Sequence, residues 1–256
     1  MPINFDDPKH LISHSREEID DVERLARAYV ASRKYTPMIH VDAETREKVF
    51  TIKIEGGPLP PKIANHVKDA TGNLRDALDH AVYCATVGLR GGGAPKYTGF
   101  PFADSAKGIE GELDGPRLRD NAPEIRQLLI GFQPYKGGND TLWALNQMRN
   151  PGTHRFIVPV GAIERVTNVT VSNGVIRNGG LRFDSRWLPA TNEIEYMRVG
   201  GDSHLDCQVQ ASARIAFENI EAVAGKEVIS TLRLMEDEVE RVVGAIEAET
   251  RRIVGR

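Results

Sequence analysis

Residues 62–90, KIANHVKDATGNLRDALDHAVYCATVGLR, decide the fold. Apolar residues recur at Ile63, Val67, Ala70, Leu74, Ala77 and Ala81, in alternating steps of four and three. That spacing is the seam of a helix packed against another helix. A polar series, His66, Asp69, Asn73, Asp76 and His80, keeps the same spacing one position back. One residue is roughly 100° of rotation, so this stripe borders the seam and is expected half-buried. Half-buried polar groups need partners. Asp76 lies four residues before His80 on the same face, placed to orient the imidazole and fix its tautomer. A neutral imidazole so held can act as a general base or a metal ligand. The plainer alternative is that the stripe caps, pairs and solvates the rim of a bundle.

Working outward, the upstream chain reads as an irregular lead-in over 1–14, then a helix over 16–34. Ser15 followed by Glu18 fits a capping box at its start. Residues 37–42 and 47–55 read as two strands joined through AETR, a hairpin over 37–55. GGPLPP at 56–61 then launches the central helix. Downstream, GLRGGGAP at 88–95 is a connector, and 97–105 is an extended segment expected to pack on the helices. Residues 106–122 read as polar loop with a helical turn or two. Two short helices follow, one from Pro123 and one over 140–149 capped by Asn139 or Asp140. Asn150-Pro-Gly is a strong break. His154 and Arg155 then enter the next strand, placed either to bind a ligand or to satisfy carbonyls at the helix end.

From 157 to 217 short apolar or alternating runs are parted by Asn-Gly and Gly-Gly turns. The clearest is 204–217, where Leu205, Cys207, Val209, Ala211, Ala213, Ile215 and Phe217 alternate with mainly polar neighbours. That is a strand with one buried and one wet face, long enough to need a bulge or strong twist. A last helix over 226–254 keeps four-three spacing from Val228 through Ile246 to Ile253, broken only at Glu249. Its partner is the first helix, the central helix, or the same helix of a second copy. The commitment is a single α+β domain over 1–256. It is mainly helical over 1–156, with long helices packed on a one-sided antiparallel sheet that the hairpin could join.

Hydrophobic content of 40% and charged content of 27% are those of an ordinary soluble globular chain. A formal net charge of −3 provides no global basic field for nucleic acid or anionic membrane, although a local basic patch remains open. Cys84 and Cys207 fall on a helix and a strand and read as small core residues, not a disulfide framework or zinc site. The first residues carry no signal pattern. No apolar run approaches the roughly 18 residues of a membrane span, so a cytoplasmic protein without membrane partners is expected.

NLRDALDHA (73–81), GFPF (99–102), QPYKGGND with LWAL (133–145) and NPGTHR (150–155) together resemble a group of bacterial proteins of unassigned activity. In that group an N-L-R-x-A-L-D-H helix precedes F-P, Q-P-Y with L-W-x-L, and N-x-x-K-H-R segments. Thr153 stands here where the group tends to have lysine. The resemblance spans about a third of the chain and implies positions without a chemistry. Within it, Arg75, four residues and His80 resemble the motif of HEPN ribonucleases, which implies a helical, metal-independent ribonuclease acting as a dimer. Five residues place Arg75 and His80 about 140° apart on a regular helix, so they converge only across an interface or a distortion.

Two function classes follow. The first is a binding or assembly protein. It has a polar pocket between the central helix and the 149–156 junction, and it self-associates through the C-terminal helix. The alternative is a HEPN-like ribonuclease acting on RNA or another phosphate-bearing ligand. There His80 is acid or base, Asp76 its orienter, and Arg75, His154 and Arg155 complete the site. No cofactor or metal is expected. A third and weaker reading places a metal on His66, Asp69, Asp76 and His80, with Glu18, Asp20 or Asp21 as further donors.

Overall fold

A computed structural model of the chain describes residues 4–116, 118–119, 121–149, 160–218 and 220–255. Among them are six helices and six strands, the strands in antiparallel sheets, so the chain is α+β. It divides into two compact units. One, largely helical, comprises residues 1–24, 61–160 and 216–256; the other, the β unit, comprises 25–60 and 161–215.

The first helix, α1 (Asp6–Ala31), begins ten residues earlier than the sequence suggests. The Asn4 side chain accepts the Asp6 N–H at 2.7 Å, and Asp6 and Asp7 supply the acidic first turn that the helix dipole favours. Ser15 is therefore mid-helix, not a cap. It is fully buried, and its hydroxyl donates to the Ala70 carbonyl at 3.1 Å. A buried serine in the seam, and Pro8 in the first turn, hid nearly three turns of the helix from the apolar pattern.

The central helix, α2 (Pro61–Arg90), has Pro at its first position and ends before Gly91, whose φ of +65° suits a left-handed cap. Every predicted seam residue, Ile63, Val67, Ala70, Leu74, Ala77 and Ala81, is buried. Three short helices follow, α3 (Ala106–Asp114), α4 (Pro123–Gly131) and α5 (Asp140–Arg149). Ser105 caps α3, which occupies part of the stretch expected to be loop. Asn139 caps α5, its side chain accepting the Leu142 N–H at 3.1 Å.

The last helix, α6 (Val228–Val254), packs on α2, so the heptad seam finds its partner within the chain. At the predicted break the seam continues through Thr250, fully buried, whose hydroxyl donates to the Ile246 carbonyl at 2.7 Å. Arg16 and Arg233 both pair with the buried Glu236 of α6, and Arg233 also pairs with Asp20 of α1. No helix among the described residues is long and apolar enough to cross a membrane.

In the β unit, β1 (Lys34–Val41) and β2 (Lys48–Glu55) form the expected hairpin. Asp42 organises the turn by accepting the Glu44 and Thr45 N–H groups, both at 3.0 Å, and an Arg198 N–H at 2.9 Å. The hairpin joins β4 (Arg182–Leu188) and β5 (Glu193–Val199) in one sheet of order β1-β2-β5-β4. The two longest strands, β3 (Val160–Val175) and β6 (His204–Phe217), pair with each other in a separate ribbon. Phe50, Ile52, Ile54, Ile194, Met197 and Val199 of the sheet pack with Leu205, Cys207 and Val209 of the ribbon. The covered face of the sheet is thus filled by the ribbon.

The register between β2 and β5 slips at Phe50 and Thr51, opposite Met197 and Glu195. Tyr196 is the extra residue of that bulge, turned with Met197 into the same core. The other face of β5 is also out of water, with Glu193 and Glu195 buried. Glu195 is paired with Arg198. Glu193 accepts the Thr51 hydroxyl at 2.6 Å and lies 2.8 Å from His40 Nε2.

Candidate functional site

Two places qualify as a site: the polar stripe of α2 and the edges of the β sandwich. On α2, His66, Asn73 and Asp76 are half-buried as expected, whereas Asp69 and His80 are exposed. For His80 the cause is helical drift. A seven-residue repeat slips about 20° per heptad on a straight helix. By the end of α2 the buried face has moved to include Leu78, Val82 and Thr86, away from the stripe. His80, last in the series, is left facing water. Among the described residues it makes no hydrogen bond or ion pair, so Asp76 does not orient it. His154 and Arg155 lie outside the described residues. Of the other three predicted residues, Arg75 is paired with Asp79, Asp76 is half-buried and His80 is exposed.

Arg75 has a different partner. Its guanidinium forms an ion pair with Asp79, four residues on, and lies 4.3 Å over the ring of Phe102. The Asp79 carboxylate accepts the Phe100 N–H at 2.8 Å. A β-carbon at Gly99 would fall 2.7 Å from that same carboxylate oxygen, so only glycine lets the segment approach so closely. Phe100 is buried and stacks on Phe132. The Ala103 N–H donates to the Pro134 carbonyl at 3.3 Å.

Gln133, with φ of 52°, turns its carbonyl to accept both the Tyr135 and Asn139 N–H groups at 2.7 Å. Asn139 then caps α5, whose Leu142, Trp143, Ala144 and Leu145 are all buried. Three of the four motif segments therefore meet as one clasp, with Asp79 at its centre. Sequence reasoning passed over Asp79, although Arg75 and Asp79 have the i,i+4 spacing that puts opposite charges on one face.

His66 is held by Glu18 of α1 at 2.5 Å, and Asp21 is paired with Arg24. Among the described residues no three His, Cys, Asp or Glu side chains come close enough to hold a metal ion.

The sandwich offers a different chemistry. The ribbon leaves two open clefts along the sheet. One, of about 430 Å3, lies between β1 and β6 and is lined by Met38, Ile39, Phe50, Tyr196, Leu205 and Cys207 among others. The second, of about 490 Å3, lies between β3 and β4 and is lined by Val166, Val169, Phe183 and again Tyr196. Both volumes suit a small molecule. Tyr196 is 4% exposed and packs edge-on against Phe50 at 6.3 Å. Burial, then the nearby Cys207, pushes its phenol up to about 12, so it is a neutral hydrogen-bond donor at physiological pH. Burial likewise raises the Cys207 thiol, with Asp206 adding to it, so it stays protonated and weakly nucleophilic.

No family model, curated protein or solved structure matches the chain.

Proposed function

We propose that the chain is a non-enzymatic binding protein whose ligand enters the β unit. The observation that carries this reading is the pair of ligand-sized clefts sharing one buried tyrosine. The helical unit supports it by exclusion of roles. Arg75 forms an ion pair with Asp79 and lies over the Phe102 ring. His80 is solvated and lacks an orienting carboxylate. The apolar seam of α6 is buried on its own bundle. Self-association through that helix would have to use its outer face, where Leu234 is 63% exposed. Cys84 and Cys207, both unpaired, fit a reducing cytoplasmic setting.

The ribonuclease alternative with Arg75 and His80 makes the opposite prediction about RNA. Purified protein incubated with RNA and EDTA, beside a His80→Ala variant, is expected to leave the RNA intact in both samples. Cleavage that depends on His80 would replace the binding reading with an enzymatic one.

A further inference from the structure

The two clefts differ from ordinary surface grooves in what lies at their floor and what lies at their mouths. At the floor is Tyr196, more than nine-tenths buried. Its hydroxyl makes no hydrogen bond to another described residue, and it is not sealed off, so it opens to the solvent of the cleft. A ligand that displaces this solvent without offering an acceptor strands the donor, at a cost of about 1–3 kcal/mol. At the mouths the charged lining residues are acidic: Asp206 at the β1–β6 cleft and Asp184 at the β3–β4 cleft. Among the described residues, no lysine, arginine or histidine lines either cleft. His204 approaches Asp206 at 3.5 Å, but both side chains are well exposed and screened. One part of the β1–β6 cleft wall is apolar and partly aromatic, through Met38, Ile39, Phe50 and Leu205, and Ser172 and Gln208 add neutral polar groups.

We propose that the β1–β6 cleft binds a small uncharged apolar molecule, fixed by one hydrogen bond from the Tyr196 phenol to an acceptor on that molecule. The proposal rests on the reading of the β unit as the binding unit and adds the class of ligand. The apolar walls supply affinity through burial of a ring or short chain. The phenol supplies selection, because a ligand lacking the acceptor strands a buried donor. The described lining offers a carboxylate or phosphate no cation, and the exposed Asp206 adds a weak, solvent-screened like charge. The Cys207 thiol beside the phenol is protonated and adds apolar wall.

Three related probes separate these contributions by calorimetric titration: 2-acetonaphthone, 2-ethylnaphthalene and 2-naphthoate. The ketone is expected to bind about tenfold more tightly than the hydrocarbon, the worth of one buried hydrogen bond. Naphthoate is expected to bind most weakly. In Tyr196→Phe the ketone is expected to fall to the affinity of the hydrocarbon, whose own affinity stays the same. The ketone–hydrocarbon comparison on the unaltered protein keeps the test decisive even if the variant folds poorly. Equal binding of ketone and hydrocarbon to the parent protein would overturn the role of Tyr196 while leaving the β unit a binding unit. Tightest binding by naphthoate would overturn the charge selection. Binding by none of the three would overturn both this inference and the reading beneath it.

Discussion

Replacing Asp79 by alanine is expected to destabilise the helical unit by about 2–3 kcal/mol, more than substitution of the exposed Asp69 or His80 of α2. The Asp79 carboxylate neutralises Arg75, whose side chain is only 14% exposed, and it accepts the Phe100 N–H that holds the GFPF segment down. Breaking a fully buried pair costs about 3–5 kcal/mol, and the partial exposure of Asp79, at 28%, lowers that figure. For a protein of this size, the loss corresponds to a fall of about 5–10 °C in the melting temperature, read by circular dichroism at the helical band. Asp79→Asn keeps an acceptor for Phe100 but loses the charge, and is expected to fall about midway. An alanine variant that melts within about 1 °C of the parent would mean that the clasp contributes nothing to folding.

The second large effect is expected at Gly200, in the turn between β5 and β6. A β-carbon there would lie 2.3 Å from the Arg177 carbonyl oxygen and 2.7 Å from that of Asn178. Those atoms are backbone and they are held. The Ser203 hydroxyl accepts the Arg177 N–H at 2.9 Å and donates to the Arg177 carbonyl at 3.1 Å. Asn178 donates to Asp202 at 2.9 Å. The β3–β4 connection and the β5–β6 turn are thereby closed on each other, with no flexible side chain to yield. Gly200→Ala is expected to cost about 3 kcal/mol in urea unfolding, the upper range for overpacking. Gly180→Ala, in the facing β3–β4 connection, is the control. Its added carbon meets nothing within 4 Å, and a change within about 0.5 kcal/mol is expected. Equal midpoints for the two variants would show that the loops separate without cost.

The helices and strands were legible in the sequence where the buried pattern is local and periodic. The seams of α2 and α6, the hairpin and the alternation of β6 all follow from spacing within one element. Each failure has a specific physical cause. The start of α1 was hidden because Ser15, a polar residue, occupies a seam position and satisfies itself on Ala70 of another helix. The half-buried stripe failed at His80 because seven residues do not close two helical turns, and the error accumulates toward the end of a long helix. The clasp could have been found from the Arg75–Asp79 spacing; the Arg75–His80 spacing drew attention to a pair that diverges. The clefts had no local signal. Tyr196 reads as one more residue of EIEYMRV, and its position depends on a one-residue slip against β2 and on a ribbon assembled from strands some forty residues apart. Sandwich pairing is non-local, and a single strand does not announce what will cover it.

The central claim is that ligand recognition resides in the β unit while the motif helix is occupied with holding its own bundle together. Amide chemical-shift mapping of the intact protein during titration with 2-acetonaphthone tests this most directly. The account predicts that the largest shifts fall on Met38, Ile39, Phe50, Tyr196, Leu205 and Cys207, with α2 unmoved. Shifts centred on Arg75, Asp76 and His80, with those β-unit amides unmoved, would contradict it.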